Sequence, residues 1–270
     1  MNPLFKQNLH IHTTYTDGAD TPREMIEEAI KNGFSSIGFS EHVFVHFSPE
    51  KAQNLANYRA EILSLKEEYK GIFDIFCGLE YDFYSDFDTT PYDYTIGSVH
   101  YLDIDGTPLT FDRDLSQTLE YINAHFSGNS MAFAKKYFET VSQLPSRKAF
   151  DIIGHFDLIT KNNEKGRFLD VSSKEYLQYG FDAIYALKGK IPFFEINTGA
   201  ISRGYRTSPY PQREFLKEFK NCGFGAVITS DCHNKLYIDC FYNEAVELLR
   251  EAGFSTKWIL TSQGFREVSL

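Results

Sequence analysis

Eight histidines are spread along the 270 residues. Six of them follow short apolar runs and have carboxylates near them. His10-Ile11-His12 is followed by Asp17, and Glu41 precedes His42. Glu80 ends an apolar run, as do His100 and His155, and Asp231-Cys232-His233 repeats the first spacing near the C-terminus. On an extended segment successive side chains point to opposite sides, so His-x-His and Asp-x-His each present two ligands on one face. Neutral imidazole and carboxylate together are ligands of zinc, manganese and iron. A single histidine after a strand is ordinarily just a hydrogen-bonded residue, so the argument rests on the joint pattern. His10, His12, Asp17, His42, Glu80, His100, His155, Asp231 and His233 are more than one tetrahedral ion can use. They suit two or three divalent ions, with a carboxylate bridging a pair. Cations would also relieve the cost of burying unpaired carboxylates side by side. His46 and His125 fall outside the pattern and read as loop and helix residues.

These side chains converge only if the elements carrying them share one end. The chain reads as alternating strands and helices. Strands are expected over 4–11, 35–40, 72–79, 93–99, 150–154, 191–196 and 225–229. A helix opens at Thr21-Pro22-Arg23-Glu24, a capping box with proline at its first position, and Gly33 stops it. Further helices are expected over 54–70, 131–143, 176–187, 214–221 and 242–252 from their apolar periodicity. This alternation implies a parallel sheet or a barrel. The polar groups, including Glu195 and Asn197 after the sixth strand, then lie at the C-terminal strand ends, where β/α barrels build active sites. Residues 43–54 and 103–114 read as loop excursions, and 257–270 as a hairpin packed on the outside. No linker or repeat divides residues 1–270, which read as one domain.

Composition narrows the function further. The chain is 42% hydrophobic and 16% aromatic, a globular composition. No apolar run approaches the ~20 residues of a membrane helix, and no secretory signal is visible. The four cysteines, Cys77, Cys222, Cys232 and Cys240, form no Cys-x-x-Cys pair and read as reduced thiols of a cytoplasmic protein. A net charge of −10 argues against nucleic acid as a partner. It allows a small anionic substrate where cations are concentrated locally. Aromatic richness serves a core or an oligomer interface alike, so no oligomeric state is implied.

The segments around these residues resemble the polymerase-and-histidinol-phosphatase (PHP) superfamily of metallohydrolases. They are Leu9-His10-Ile11-His12-Thr13 with Thr16-Asp17-Gly18, Phe39-Ser40-Glu41-His42, Cys77-Gly78-Leu79-Glu80, Ile96-Gly97-Ser98-Val99-His100-Tyr101, Ile153-Gly154-His155-Phe156-Asp157 and Thr229-Ser230-Asp231-Cys232-His233. Tyr94-Thr95-Ile96-Gly97-Ser98-Val99-His100-Tyr101-Leu102, Asn197-Thr198-Gly199-Ala200, Arg203 and Tyr210-Pro211 resemble most the stand-alone histidinol-phosphate phosphatases of that superfamily. The resemblance implies an α/β fold, a distorted (β/α)7 TIM-like barrel with a trinuclear metal site at the C-terminal ends of the strands. It implies one ion on His10, His12, Glu80 and Asp231, a second on Glu80, His100 and His155, and a third on Asp17, His42 and His233. None of these positions is substituted.

The implied reaction is hydrolysis of L-histidinol phosphate in histidine biosynthesis, by attack of a metal-bridging hydroxide on phosphorus. A nucleotide or phosphotyrosine is the alternative substrate. Asp231 or His233 would return a proton to the departing alkoxide. Arg203, in the loop after the sixth strand, is the first candidate to clamp phosphate, because guanidinium matches it bidentately. Lys161 and Arg206 are second candidates. Glu41, Tyr15 and Tyr101 flank ligand positions and are candidates to receive the amine and imidazole of the substrate.

Overall fold

The structure, a computed structural model, describes residues 5–43, 45 and 48–270. Leu4, at the start of the expected first strand, and His46 lie outside them. In chain order the elements are β1 (Gln7–Asn8), α1 (Pro22–Lys31), β2 (Ser36–Val43), α2 (Pro49–Glu68), β3 (Asp74–Asp82), β4 (Tyr94–Ser98), β5 (Tyr101–Ile104) and β6 (Thr107–Thr110). Then come α3 (Leu115–Phe126), α4 (Ser130–Ser142), α5 (Leu144–Arg147), β7 (Ile152–Ile153), α6 (Lys174–Leu187) and β8 (Phe193–Asn197). The chain ends with α7 (Gly199–Ser202), α8 (Arg213–Cys222), β9 (Gly225–Thr229), α9 (Tyr242–Glu251), β10 (Thr256–Thr261) and β11 (Gly264–Ser269).

Seven strands form one parallel sheet in the order β1-β2-β3-β4-β7-β8-β9. The sheet curls until its edges meet. Ile11 bridges Cys232 in parallel, His12 N–H donates to the Cys232 carbonyl at 2.9 Å, and Cys232 N–H donates to that of His10 at 3.2 Å. The result is the distorted (β/α)7 TIM-like barrel expected from the sequence.

Strand alternation fills the barrel in layers. Leu9, Phe76, Tyr94, Ile96, Ile152, Phe193, Val227 and Leu260 form an apolar plug in its lower half. Tyr94 spans the interior, and its hydroxyl donates to the carbonyls of Leu9 and Phe39 at 2.5 and 2.9 Å. Gly78 makes room for that ring, since a Cβ there would lie 2.4 Å from ring atoms of Tyr94. Two residues beyond Gly78 on the same strand face stands Glu80, and beyond Ile96 stand Ser98 and His100. The strands therefore carry an apolar lower layer and a polar upper one.

Several boundaries differ from the sequence expectation. The first strand is only Gln7–Asn8 with a bridge at Ile11, and the fifth is only Ile152–Ile153. The second long helix starts at Pro49, capped by the Ser48 side chain accepting from Lys51 N–H. Half of the expected 43–54 loop is thus helix. The 103–114 excursion is a hairpin: Asp105 and Gly106 take φ of 51° and 85°, the left-handed pair a two-residue hairpin turn needs. The 257–270 hairpin does form, as β10 and β11. It docks across the lower mouth, where the Gln7 side chain both donates to and accepts from the backbone of Leu260 (2.8 and 2.7 Å). Among the described residues no helix is long and apolar enough to cross a membrane, and all four cysteines are free.

Candidate metal centre

The upper end of the barrel gathers the nine side chains singled out above into three groups. His10, His12 and Asp231 form one, Glu80, His100 and His155 a second, and His12, Asp17, His42 and His233 a third; within each, the candidate ligand atoms lie within 4.8 Å of one another. Glu80 is the hub. Its Oε1 faces Nε2 of His155 at 2.8 Å and of His100 at 3.3 Å. Its Oε2 faces Nε2 of His10 at 3.3 Å, Nε2 of His12 at 3.5 Å and Nδ1 of His42 at 2.8 Å. Asp231 Oδ1 lies 3.7 Å from His10 and 3.4 Å from His12. Asp17 Oδ2 lies 3.5 Å from His42 and 3.4 Å from His233.

These distances fit metal ions. Ligand atoms held ~2.1 Å from a tetrahedral ion stand about 3.4 Å apart. The second observation is orphaned polar atoms. Nε2 of His10, both ring nitrogens of His12 and Nδ1 of His155 are buried without a hydrogen-bond partner. Leaving such atoms unsatisfied costs roughly 1–3 kcal/mol each, a cost that divalent cations coordinated there would remove.

The protonation pattern agrees. Burial opposes charge on these rings, but Glu195 and Glu80 hold His10 well above an ordinary imidazole. Glu80 and Asp82 do the same to His100, and Glu80 and Asp17 raise His42 to about 10. His12 goes the other way, lowered to about 3 by burial and by its neighbours His42 and His233. Burial would raise the carboxyl of Glu80 too, yet His10, His100 and His42 hold it well below the carboxylate range. Without ions, protons on imidazole balance the carboxylates, so cation binding must displace them.

A model of the PHP domain matches residues 8–198. The chain belongs to the PHP domain family. Over 264 residues, 92% of this chain and 94% of the other, it is 27% identical to a probable histidinol-phosphatase of Deinococcus radiodurans. Over 255 residues, 84% and 93% of the two chains, it is 29% identical to a histidinol-phosphatase of Bacillus subtilis. Its fold matches that of the Lactococcus lactis histidinol phosphate phosphatase, solved with zinc, L-histidinol and phosphate, with a TM-score of 0.73 over 97% of this chain and 98% of that one at 24% identity.

In this PHP domain two carboxylates that the sequence reading did not assign orient the histidines. Glu195, fully buried, accepts from four donors: His10 Nδ1 (2.8 Å), His155 N–H (2.6 Å), the Asn197 amide (2.8 Å) and the Thr229 hydroxyl (2.9 Å). By holding a proton on His10 Nδ1 it makes Nε2 the nitrogen that gives up its proton to an ion. Asp82 Oδ2 accepts from His100 N–H at 2.7 Å and faces its Nδ1 at 3.3 Å. Their readable signal is strand parity: Glu195 lies two residues before Asn197, and Asp82 two after Glu80.

The cavity above the clusters, about 220 Å³, is lined by Asp17, His42, Glu80, His100, His155, Asp231 and His233, with Arg203, Lys161, Asp112, Leu158 and Tyr205 on its wall. Arg203 is anchored by Nη2 to Asp231 Oδ2 and by Nη1 to the Asp231 carbonyl, both at 2.9 Å. Arg206 is not part of this wall. Its guanidinium stacks 4.4 Å from the Tyr210 ring and bonds Thr160 and Ser208. Glu41 is fully buried and turned to Thr13 and Thr16, bracing the loop that carries Asp17; burial raises it to about 7. Tyr15 donates to Glu61 at 2.5 Å and lines an adjoining cavity of about 280 Å³ with His42, Lys51 and Asn54. Tyr101 is half-buried at the start of β5 and does not line the metal-site cavity. Cys232 points away, donating to the Asn234 carbonyl, and His125 packs on Tyr121 in α3. Two larger clefts, about 460 and 500 Å³, flank the C-terminal hairpin at the other end. Neither holds one of the three groups found among the described residues, so chemistry rather than size marks the site.

Proposed function

We propose that this chain is a metal-dependent phosphomonoesterase that hydrolyses L-histidinol phosphate to L-histidinol and phosphate, a step of histidine biosynthesis. The observation carrying the reading is the convergence of nine ligand side chains, Glu80 among them, at the upper end of the barrel, with two cations, Arg203 and Lys161, on the same cavity wall. The names of the relatives supply the substrate. The four free thiols fit a reducing compartment, the cytoplasm.

Two or three divalent ions, zinc, manganese or iron, would be held by His10, His12, Glu80 and Asp231, by Glu80, His100 and His155, and by Asp17, His42 and His233. Bound there, they supply Lewis acidity toward phosphoryl oxygens and a nucleophile at neutral pH. The chain's own residues do the rest. Arg203, its guanidinium fixed on Asp231, presents donors to the equatorial oxygens as negative charge spreads over them. Lys161 adds a second positive charge. Asp231 holds Oδ1 toward His10 and His12 and Oδ2 toward Arg203; against the effect of burial, Arg203 and the imidazoles keep its carboxyl well below the ordinary carboxylate range, so it anchors the guanidinium as a carboxylate. His233 stands beside it, Nε2 toward Asp17 and Nδ1 near the Asp231 carbonyl, and Asp231 and His233 are the two candidates to relay a proton to the departing alkoxide.

The test is phosphate release from L-histidinol phosphate by metal-loaded protein, beside a chelated and reconstituted control. Turnover that disappears with the metals and returns with them supports the reading. Absent turnover on this ester, with rapid hydrolysis of nucleotides or phosphotyrosine, would replace the substrate.

A further inference from the structure

Four carboxylates line the cavity above the clusters: Asp17, Glu80, Asp112 and Asp231. Three belong to the metal-ligand groups, and Asp112 belongs to none. The fold fixes it there from both sides. Phe111 N–H donates to the His100 carbonyl at 3.3 Å, tying the preceding residue to the segment between β4 and β5. The Asn162 amide donates to the Arg113 carbonyl at 2.6 Å, tying the following residue to the loop after His155. Between these ties Asp112 Oδ1 accepts from Lys161 Nζ at 2.7 Å. The Lys161 ammonium also sits 4.7 Å from the centroid of the Tyr205 ring, a cation–π contact that does not depend on Asp112.

A carboxylate is an unexpected lining for a phosphate cavity, because a phosphomonoester brings about two negative charges near neutral pH. If Lys161 served phosphate alone, Asp112 would only weaken it. If Lys161 served only to cancel Asp112, an apolar pair of similar volume would avoid the desolvation of two charges. Both charges have a use when the substrate itself carries an anion and a cation. Resting on the reading above, which makes the substrate an amino-alcohol ester, we propose that Asp112 receives the substrate ammonium while Lys161, retained by Tyr205, turns to the phosphate. One ion pair opens and two form. Asp112 is thus a specificity-determining residue. An ester with no amine leaves Lys161 tied to Asp112 or leaves the carboxylate facing phosphate, which selects against sugar phosphates and nucleotides.

The experiment compares L-histidinol phosphate with imidazolylpropyl phosphate, the same ester without its amine, on metal-loaded wild type, Asp112→Asn and Asp112→Glu. A charged hydrogen bond contributes about 1.5–3 kcal/mol, so wild type should prefer the amine ester by about 10–100-fold in kcat/KM. Asp112→Asn should lower that preference at least ~10-fold, mainly through a higher KM for the amine ester, and Asp112→Glu should restore part of it. An equal loss on both esters would mean that Asp112 only seats Lys161 and would overturn the assignment. So would a wild type that treats the two esters alike, a comparison that needs no variant to fold. Hydrolysis of neither ester, with activity on other phosphoesters, would sink the histidinol reading and the role of Asp112 with it.

Discussion

Replacing Glu195 by glutamine tests whether the metal centre depends on a residue that touches no ion. The swap keeps shape and volume but exchanges one acceptor oxygen for an NH2 group. The structure dictates which one. Oε1 accepts from the backbone N–H of His155 and from the Asn197 amide, and a backbone N–H can only donate. The glutamine oxygen must therefore take that side, and its NH2 group must face His10 Nδ1 and the Thr229 hydroxyl. The hydroxyl can rotate to accept. His10 can accept only by moving its proton from Nδ1 to Nε2, the nitrogen that faces Glu80 at 3.3 Å and must be bare to bind an ion. Outer partners of ligating histidines are worth roughly 10–100-fold in metal affinity, or about 1.4–2.8 kcal/mol. Glu195→Gln should therefore weaken one ion by that factor, measured by competition with a chelator of known affinity and by elemental analysis. The ions away from His10 should be retained. Wild-type affinity for every ion in a folded Glu195→Gln protein would refute the argument that this carboxylate sets the His10 tautomer.

Other expectations follow from the same geometry. Arg203→Ala removes the guanidinium and the partner of Asp231 Oδ2, so kcat/KM should fall about 100-fold, the order reported for loss of one donor to a developing oxyanion; steady-state kinetics with unchanged values would take Arg203 out of the site. The metal-free protein should lose heat stability as pH rises from about 6.5 toward 10 and again as pH falls below about 4.5. His42, raised from 6.5 to about 10, contributes stability below pH 6.5 that is lost as pH rises through 10. Glu80, held well below its ordinary 4.5, contributes stability above that value that is lost as pH falls. A melting temperature of the metal-free protein that stays flat from pH 6.5 to 10 would contradict this. Gly78→Ala drives a Cβ to 2.4 Å from the Tyr94 ring and should cost about 1–3 kcal/mol in denaturant unfolding by overpacking.

The sequence determined the strand-and-helix alternation and the placing of each polar group after a strand. Backbone periodicity is local, and Gly, Pro and capping residues punctuate it. For the same reason the ligand set was legible: His-x-His and Asp-x-His declare a shared face from spacing alone. Two local signals, Ser48-Pro49 and Asp105-Gly106, also stood in the sequence, and they mark where α2 begins and where the β5–β6 hairpin turns. What only the tertiary structure decided is which atoms face one another across the barrel. Glu195 and Asp82 orient histidines from other segments or around a turn. Asp112 meets Lys161 49 residues away, and Arg206, a second candidate beside Arg203 in the sequence, turns to Tyr210 instead. Closing the barrel sets these contacts, through the docking of β1 on the segment after β9 and the packing of Tyr94 over Gly78. Such pairings depend on the three-dimensional path of the whole chain, and no residue spacing within one element encodes them.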